Sequence, residues 1–177
     1  MTPMRVFGLA GWSGSGKTTL ITRLIPALKR RGLSVSTLKH AHHEFDVDQP
    51  GKDSWRHRQG GATEVMVASE RRWALMHELR GAKMPSMQEL IRRMSPVDLV
   101  LVEGFKREPH PKLEVYRASL GKPLLAPGDE AILAVASDAP VPGLRLPFFA
   151  LEDCDAIASF IIAHCRLETV EDGAAQR

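Results

Sequence analysis

The chain has 177 residues, 44% of them hydrophobic and 25% charged, with a net charge of +3. That length suits one domain able to bury its own core. The basic residues are scattered in pairs such as Arg30-Arg31, Arg71-Arg72 and Arg92-Arg93, so no concentrated face for nucleic acid is expected.

Two cysteines, Cys154 and Cys165, make neither a disulfide framework nor a paired metal-ligand spacing, and they are expected as buried thiols in a reducing compartment. The N-terminus lacks the order of a signal peptide, and no apolar stretch is long enough to span a bilayer. A cytoplasmic protein without membrane contact is expected.

In chain order, the apolar run Met4 to Ala10 stops at Gly11 and predicts a buried first strand. Thr18 to Arg31 predicts a helix, with Leu20, Ile21, Leu24 and Leu28 on one face and Gly32 as its stop. Pro26 is awkward within it, because proline removes a backbone donor. Leu33 to Leu38 follows as a second strand, completing a βαβ unit with a parallel sheet. From Lys39 to Gly61 no apolar periodicity survives, and so long an irregular stretch points to function or disorder. Val65 to Ala68 and Trp73 to Met76 flank Ser69 to Arg72 as a hairpin. Met87 to Met94 predicts a short helix, and Val97 to Val102 a central parallel strand. Leu113 to Tyr116 and Ala131 to Ala136 are further strands. Asp153 is placed to cap a last helix, with Ile157, Phe160, Ile161 and His164 inward. The expected organisation is one nucleotide-binding domain over 1–168, with a hairpin inserted at about 63–78 and a flexible tail at 169–177.

Gly11-Trp-Ser13-Gly14-Ser15-Gly16-Lys17-Thr18, followed by Thr19, fits the P-loop pattern, and it lies between a predicted strand and a predicted helix. Glycines let consecutive backbone N–H groups converge on an anion, and the helix N-terminus adds partial positive charge. Lys17 is expected at the β- and γ-phosphates, and the Thr18 hydroxyl on Mg²⁺. Glu103 ends an apolar strand, where α/β sheets place their ligand crevice, and is the expected metal-side acid. Asp98 begins that strand, at the opposite edge, and is given a capping role. His40, His42 and His43, with Asp48, Lys52 and Asp53 after them, form a candidate substrate or partner loop. Histidine spacing alone is weak support for a metal there. Ser137-Asp138 follows a late strand, where a carboxylate can accept from guanine N1–H and the 2-amino group. The same pair also suits a plain turn before Ala139-Pro140.

These motifs together resemble the molybdopterin-guanine dinucleotide biosynthesis adapter protein B family. The features are the P-loop, Leu24-Ile-Pro-Ala-Leu28, Lys39-His-Ala-His-His43, Asp46-Val-Asp-Gln-Pro-Gly-Lys-Asp-Ser54, Arg72-Trp-Ala-Leu-Met76, Leu101-Val-Glu-Gly-Phe-Lys106 and Ala134-Val-Ala-Ser-Asp138. The resemblance spans nearly the whole chain. It implies an α/β P-loop NTPase-type three-layer fold and a homodimer built partly by the hairpin. It also implies GTP and Mg²⁺ as ligands, with weak hydrolysis at most, and as partners molybdopterin and the guanylyltransferase that attaches GMP to molybdenum cofactor. The Asn-Lys-x-Asp guanine motif of regulatory GTPases is absent, leaving Ser137-Asp138 in its place. Two rival readings use the same loop: a small-molecule kinase, and a metallochaperone GTPase with metal on the histidines.

Overall fold

The structure is a computed structural model, described for residues 4–41 and 45–169. The elements are β1 (Arg5–Ala10), α1 (Lys17–Arg30), β2 (Val35–Lys39), α2 (Asp53–Gln59), β3 (Glu64–Ala68), β4 (Trp73–His77), α3 (Met87–Ile91), β5 (Leu99–Glu103), β6 (Lys112–Tyr116), β7 (Ile132–Ser137), β8 (Phe148–Ala150) and α4 (Cys154–Cys165). Two compact units divide the chain: residues 1–40 with 90–177, and residues 41–89.

The first unit is built on a six-stranded sheet in the order β2-β5-β1-β6-β7-β8, every neighbouring pair parallel. β1 sits between β5 and β6, so the chain runs to one side of β1 for β2 and to the other for β6. That reversal opens a crevice at the carboxyl ends of the strands. Leu99 to Val102 are fully buried, as expected of a strand covered on both faces.

Helices α1 and α4 pack on one face. Leu20, Ile21, Leu24, Ala27 and Leu28 meet Phe7, Leu9, Leu101, Leu113 and Val115, with Ile157, Ala158 and Ile161 alongside. Each buried leucine of this kind contributes about 1.5–3 kcal/mol of transfer free energy. Pro26 lies within α1 on its exposed side, so the Thr22 carbonyl that it leaves without an N–H donor lies on the solvent side. Gly32 (φ 84°) stops the helix, its N–H donating to the Lys29 carbonyl. On the opposite face the connection between β6 and β7 is tied down by polar groups. Glu114 accepts from the N–H groups of Leu125 and Ala126 at 2.8–3.0 Å, and the buried Lys112 meets Asp129 at 2.8 Å. Asp98 holds β5 to the start of β2 by accepting from the N–H of Ser34 at 2.7 Å and from its hydroxyl at 2.5 Å.

The second unit contains α2 and the antiparallel pair β3–β4, joined by a turn in which the Ser69 N–H donates to the Arg72 carbonyl at 2.8 Å. Its centre is Arg58, which reaches Asp48 at 2.7 and 3.1 Å, Asp46 at 2.8 Å and Glu78 at 3.0 Å. In the loop before α3, Ser86 and Glu89 form a reciprocal cap: Ser86 donates through N–H and hydroxyl to Glu89 Oε2, and the Glu89 N–H returns to the hydroxyl.

Two expectations are corrected, and one strand went unread. The stretch from Lys39 to Gly61 contains a helix, α2, which buries no residue and so left no apolar stripe to find. The unread strand is β8, only three residues long and too short to signal itself in the sequence. In α4 the buried stripe is Ile157, Ala158, Ile161 and Cys165, whereas His164 is exposed and stacks its ring near Phe160. Asp153 caps that helix, accepting from the Ala156 N–H at 3.0 Å. Cys165 is buried, which pushes its thiol up to about 11, while Cys154 is only half-buried. His42, His43 and the tail from residue 170 lie outside the described residues.

Candidate functional site

Gly11, Gly14 and Gly16 adopt φ of 143°, 80° and 102°, values that L side chains rarely take. A Cβ on Gly11 would also strike the Val115 carbonyl oxygen, and it would come within 2.7 Å of Ser15 Oγ. The loop is therefore built on backbone that only glycine supplies, and α1 begins directly after it at Lys17. Ser13 and Thr19 are exposed on the loop and the first helical turn. The hydroxyl of Ser15 is buried and has no hydrogen-bond partner, an orphaned polar atom inside the cradle.

Lys17 folds back over the loop, its Nζ donating to the carbonyls of Gly11 at 3.1 Å and Trp12 at 2.8 Å. Burial lowers its pKa, offset by Glu103, while the nearby Lys106 and Lys39 lower it further. Thr18 Oγ1 donates to Glu103 Oε1 at 2.9 Å, and Lys39 Nζ lies 3.7 Å from the same oxygen. A hydroxyl beside a carboxylate is a hard-oxygen pair suited to Mg²⁺. Parallel register places Lys39 beside Glu103, which stands opposite Leu9 of β1 and Lys39 of β2. Gly104 (φ 93°) then passes so close to His40 that a Cβ would lie 2.8 Å from the His40 Cβ. The His40 ring faces that of Phe105 at 4.8 Å, and the backbone N–H of His40 donates to the Glu103 carbonyl at 2.8 Å.

On the other side of the loop Ser137 is buried and Asp138 emerges from β7. Arg117, just past β6, joins them to the loop: Nη1 meets Asp138 Oδ2 at 3.0 Å and Nε donates to the Ser15 carbonyl at 3.1 Å. Sequence reasoning passed over Arg117, although it follows a strand at the same edge as Glu103 and Asp138. It also passed over Lys39 and Lys106. Of the loop residues, Asp48 belongs to the second unit and is held by Arg58, whose hydrogen bonds keep its carboxyl below the ordinary range. Lys52 is the exposed N-cap of α2, and Asp53 its first residue. Beside them a cleft of about 410 Å³ is bounded by Val47, Lys52, Val67, Arg72 and Met76.

A parallel sheet, a glycine-built loop at its crevice and a lysine with a hydroxyl–carboxylate pair define the P-loop nucleotide-binding class. Residues 6–138 match the family described as MobB, molybdopterin guanine dinucleotide synthesis protein B. The chain is 44% identical over 165 residues to the molybdopterin-guanine dinucleotide biosynthesis adapter protein of Escherichia coli (strain K12), covering 92% of this chain and 93% of that one. To its namesake in Haemophilus influenzae (strain ATCC 51907 / DSM 11121 / KW20 / Rd) it is 46% identical over 138 residues, covering 77% and 76%. A crystal structure of molybdopterin-guanine biosynthesis protein B superposes with a TM-score of 0.67 at 32% identity, covering 91% of this chain and 99% of that one. The chain belongs to the MobB family, and its role is that of an adapter in molybdopterin guanine dinucleotide biosynthesis.

Proposed function

We propose that the adapter binds GTP with Mg²⁺ at the P-loop and assists a guanylyltransferase in joining GMP to molybdenum cofactor. The observation that carries this reading is the Thr18–Glu103 contact at the mouth of a glycine-built loop. Thr18 and Glu103 would hold Mg²⁺, which neutralises charge on the phosphates. The backbone from Gly11 to Gly16 binds the phosphates, and Lys17 exchanges its loop carbonyls for the β- and γ-oxygens. Asp138, oriented by Arg117, accepts from guanine. Hydrolysis is slow at most.

The loop of His40, His42, His43, Asp48, Lys52 and Asp53 is the surface for molybdopterin or the transferase. Support comes from the neighbouring cleft, where Lys52 and Arg72 offer charge to an anionic ligand. The homodimer reading is supported by one face of the hairpin, where Met66, Trp73 and Leu75 are 62%, 64% and 45% exposed.

The test is reconstitution: transferase, GTP and molybdopterin loaded with molybdenum, with and without this chain. Added wild-type protein should raise the yield of guanylylated cofactor, and Lys17→Ala should not. Label passed from the γ-phosphate of GTP to a small acceptor would instead indicate a kinase.

A further inference from the structure

The turn that follows Glu103 is strained. Gly104 and Phe105 both lie in the left-handed region, at φ 93° and 49°, and phenylalanine rarely occupies it. The turn is pinned against His40, which Gly104 hugs and whose ring faces the buried Phe105 ring. Its effect is to throw Lys106 back toward the P-loop, where Nζ rests 5.0 Å from the centre of the Trp12 ring. Trp12 itself is anchored, its indole N–H donating to the Pro123 carbonyl at 2.8 Å. Lys122 approaches the same ring at 5.8 Å. Among the described residues no carboxylate lies within ion-pair distance of Lys106, although Glu114 and Lys17 feel its charge. Lys106 is half-buried, with its ammonium on an aromatic face beside a second lysine, a placement suited to binding an anion.

The position identifies which anion. Lys17 reaches the β- and γ-phosphates in P-loops, and here its Nζ sits on the carbonyls of Gly11 and Trp12. The γ-phosphate end of the site is therefore the Gly11–Trp12 end, where Lys106 waits. We infer that Lys106 is a second phosphate-binding lysine, which leaves the Trp12 ring to engage the terminal phosphate of a bound triphosphate and so distinguishes tri- from diphosphate. This rests on the P-loop reading above.

The experiment compares GTP and GDP affinities, with Mg²⁺, for the wild-type chain and Lys106→Ala. The variant should lose roughly tenfold or more in GTP affinity and keep GDP affinity within about twofold. In a Trp55→Phe, Trp73→Phe background, GTP but not GDP should change Trp12 emission, and Lys106→Ala should abolish that change. Unaltered GTP affinity in the variant overturns the inference alone. Equal losses for GTP and GDP overturn it too, placing Lys106 on an inner phosphate or in the fold. Wild-type protein that binds neither nucleotide overturns the P-loop reading and this inference with it.

Discussion

Thr18 Oγ1 and Glu103 Oε1, 85 residues apart in the chain, lie 2.9 Å from each other at the carboxyl edge of the sheet. The contact couples the first turn of α1 to the end of β5. Glu103→Gln keeps an acceptor for Thr18 and removes the charge. GTP binding by the variant should lose most of its dependence on Mg²⁺, roughly tenfold in affinity at millimolar metal. Titrations with and without Mg²⁺ measure this, and an unchanged metal dependence would place Mg²⁺ elsewhere.

The hairpin presents Met66, Trp73 and Leu75 on one face, and the Val65–Met76 pair on the other. Replacing Trp73 and Leu75 by charged residues should shift the sedimentation coefficient from dimer toward monomer. If the double variant sediments as a dimer, the hairpin is not the interface.

Asp138 is held by Arg117, which also touches the Ser15 carbonyl. Asp138→Asn puts a donor where guanine needs an acceptor and loses the Arg117 ion pair. GTP affinity should fall about 30- to 1,000-fold, and XTP, with a carbonyl at position 2, should gain relative to GTP. Competition among GTP, XTP and ATP reads the ranking, and an unchanged order would reduce Ser137-Asp138 to a turn.

His110 is buried against Gly8, and burial with Lys112 nearby lowers its pKa to about 4. The unfolded chain takes up this proton near pH 6.5, while the folded chain refuses it until about pH 4. Stability contributed by the neutral ring is thus complete above pH 6.5 and declines as pH falls through that window, by about 3 kcal/mol in total. In urea melts, wild type should lose about 3 kcal/mol relative to His110→Phe as pH falls from 7 toward 4. Parallel pH profiles would show that His110 does not titrate with folding.

Much of this was legible in the sequence because it rests on long apolar runs and on glycine. The run before Glu103 placed that carboxylate at the sheet's ligand edge, and the pattern from Gly11 to Thr18 placed the loop between strand and helix. Helix α2 was not legible, because its seven residues bury nothing and Arg58 satisfies neighbouring carboxylates rather than an apolar core. Arg117 and Lys106 were missed for a different reason. Each acts through a position that only strand register or a left-handed turn reveals, and neither leaves a periodic trace. Asp48 read as part of the candidate substrate or partner loop, yet its side chain is 6% exposed and committed to Arg58.

The most direct test of the nucleotide-binding account is calorimetric titration of GTP with Mg²⁺ into wild type and Lys17→Ala. The account predicts one site per chain in the wild type and at least a roughly tenfold weaker one in the variant, with the thermal melt of the protein alone unchanged. Equal affinity in the two proteins, or no binding to either, would contradict it.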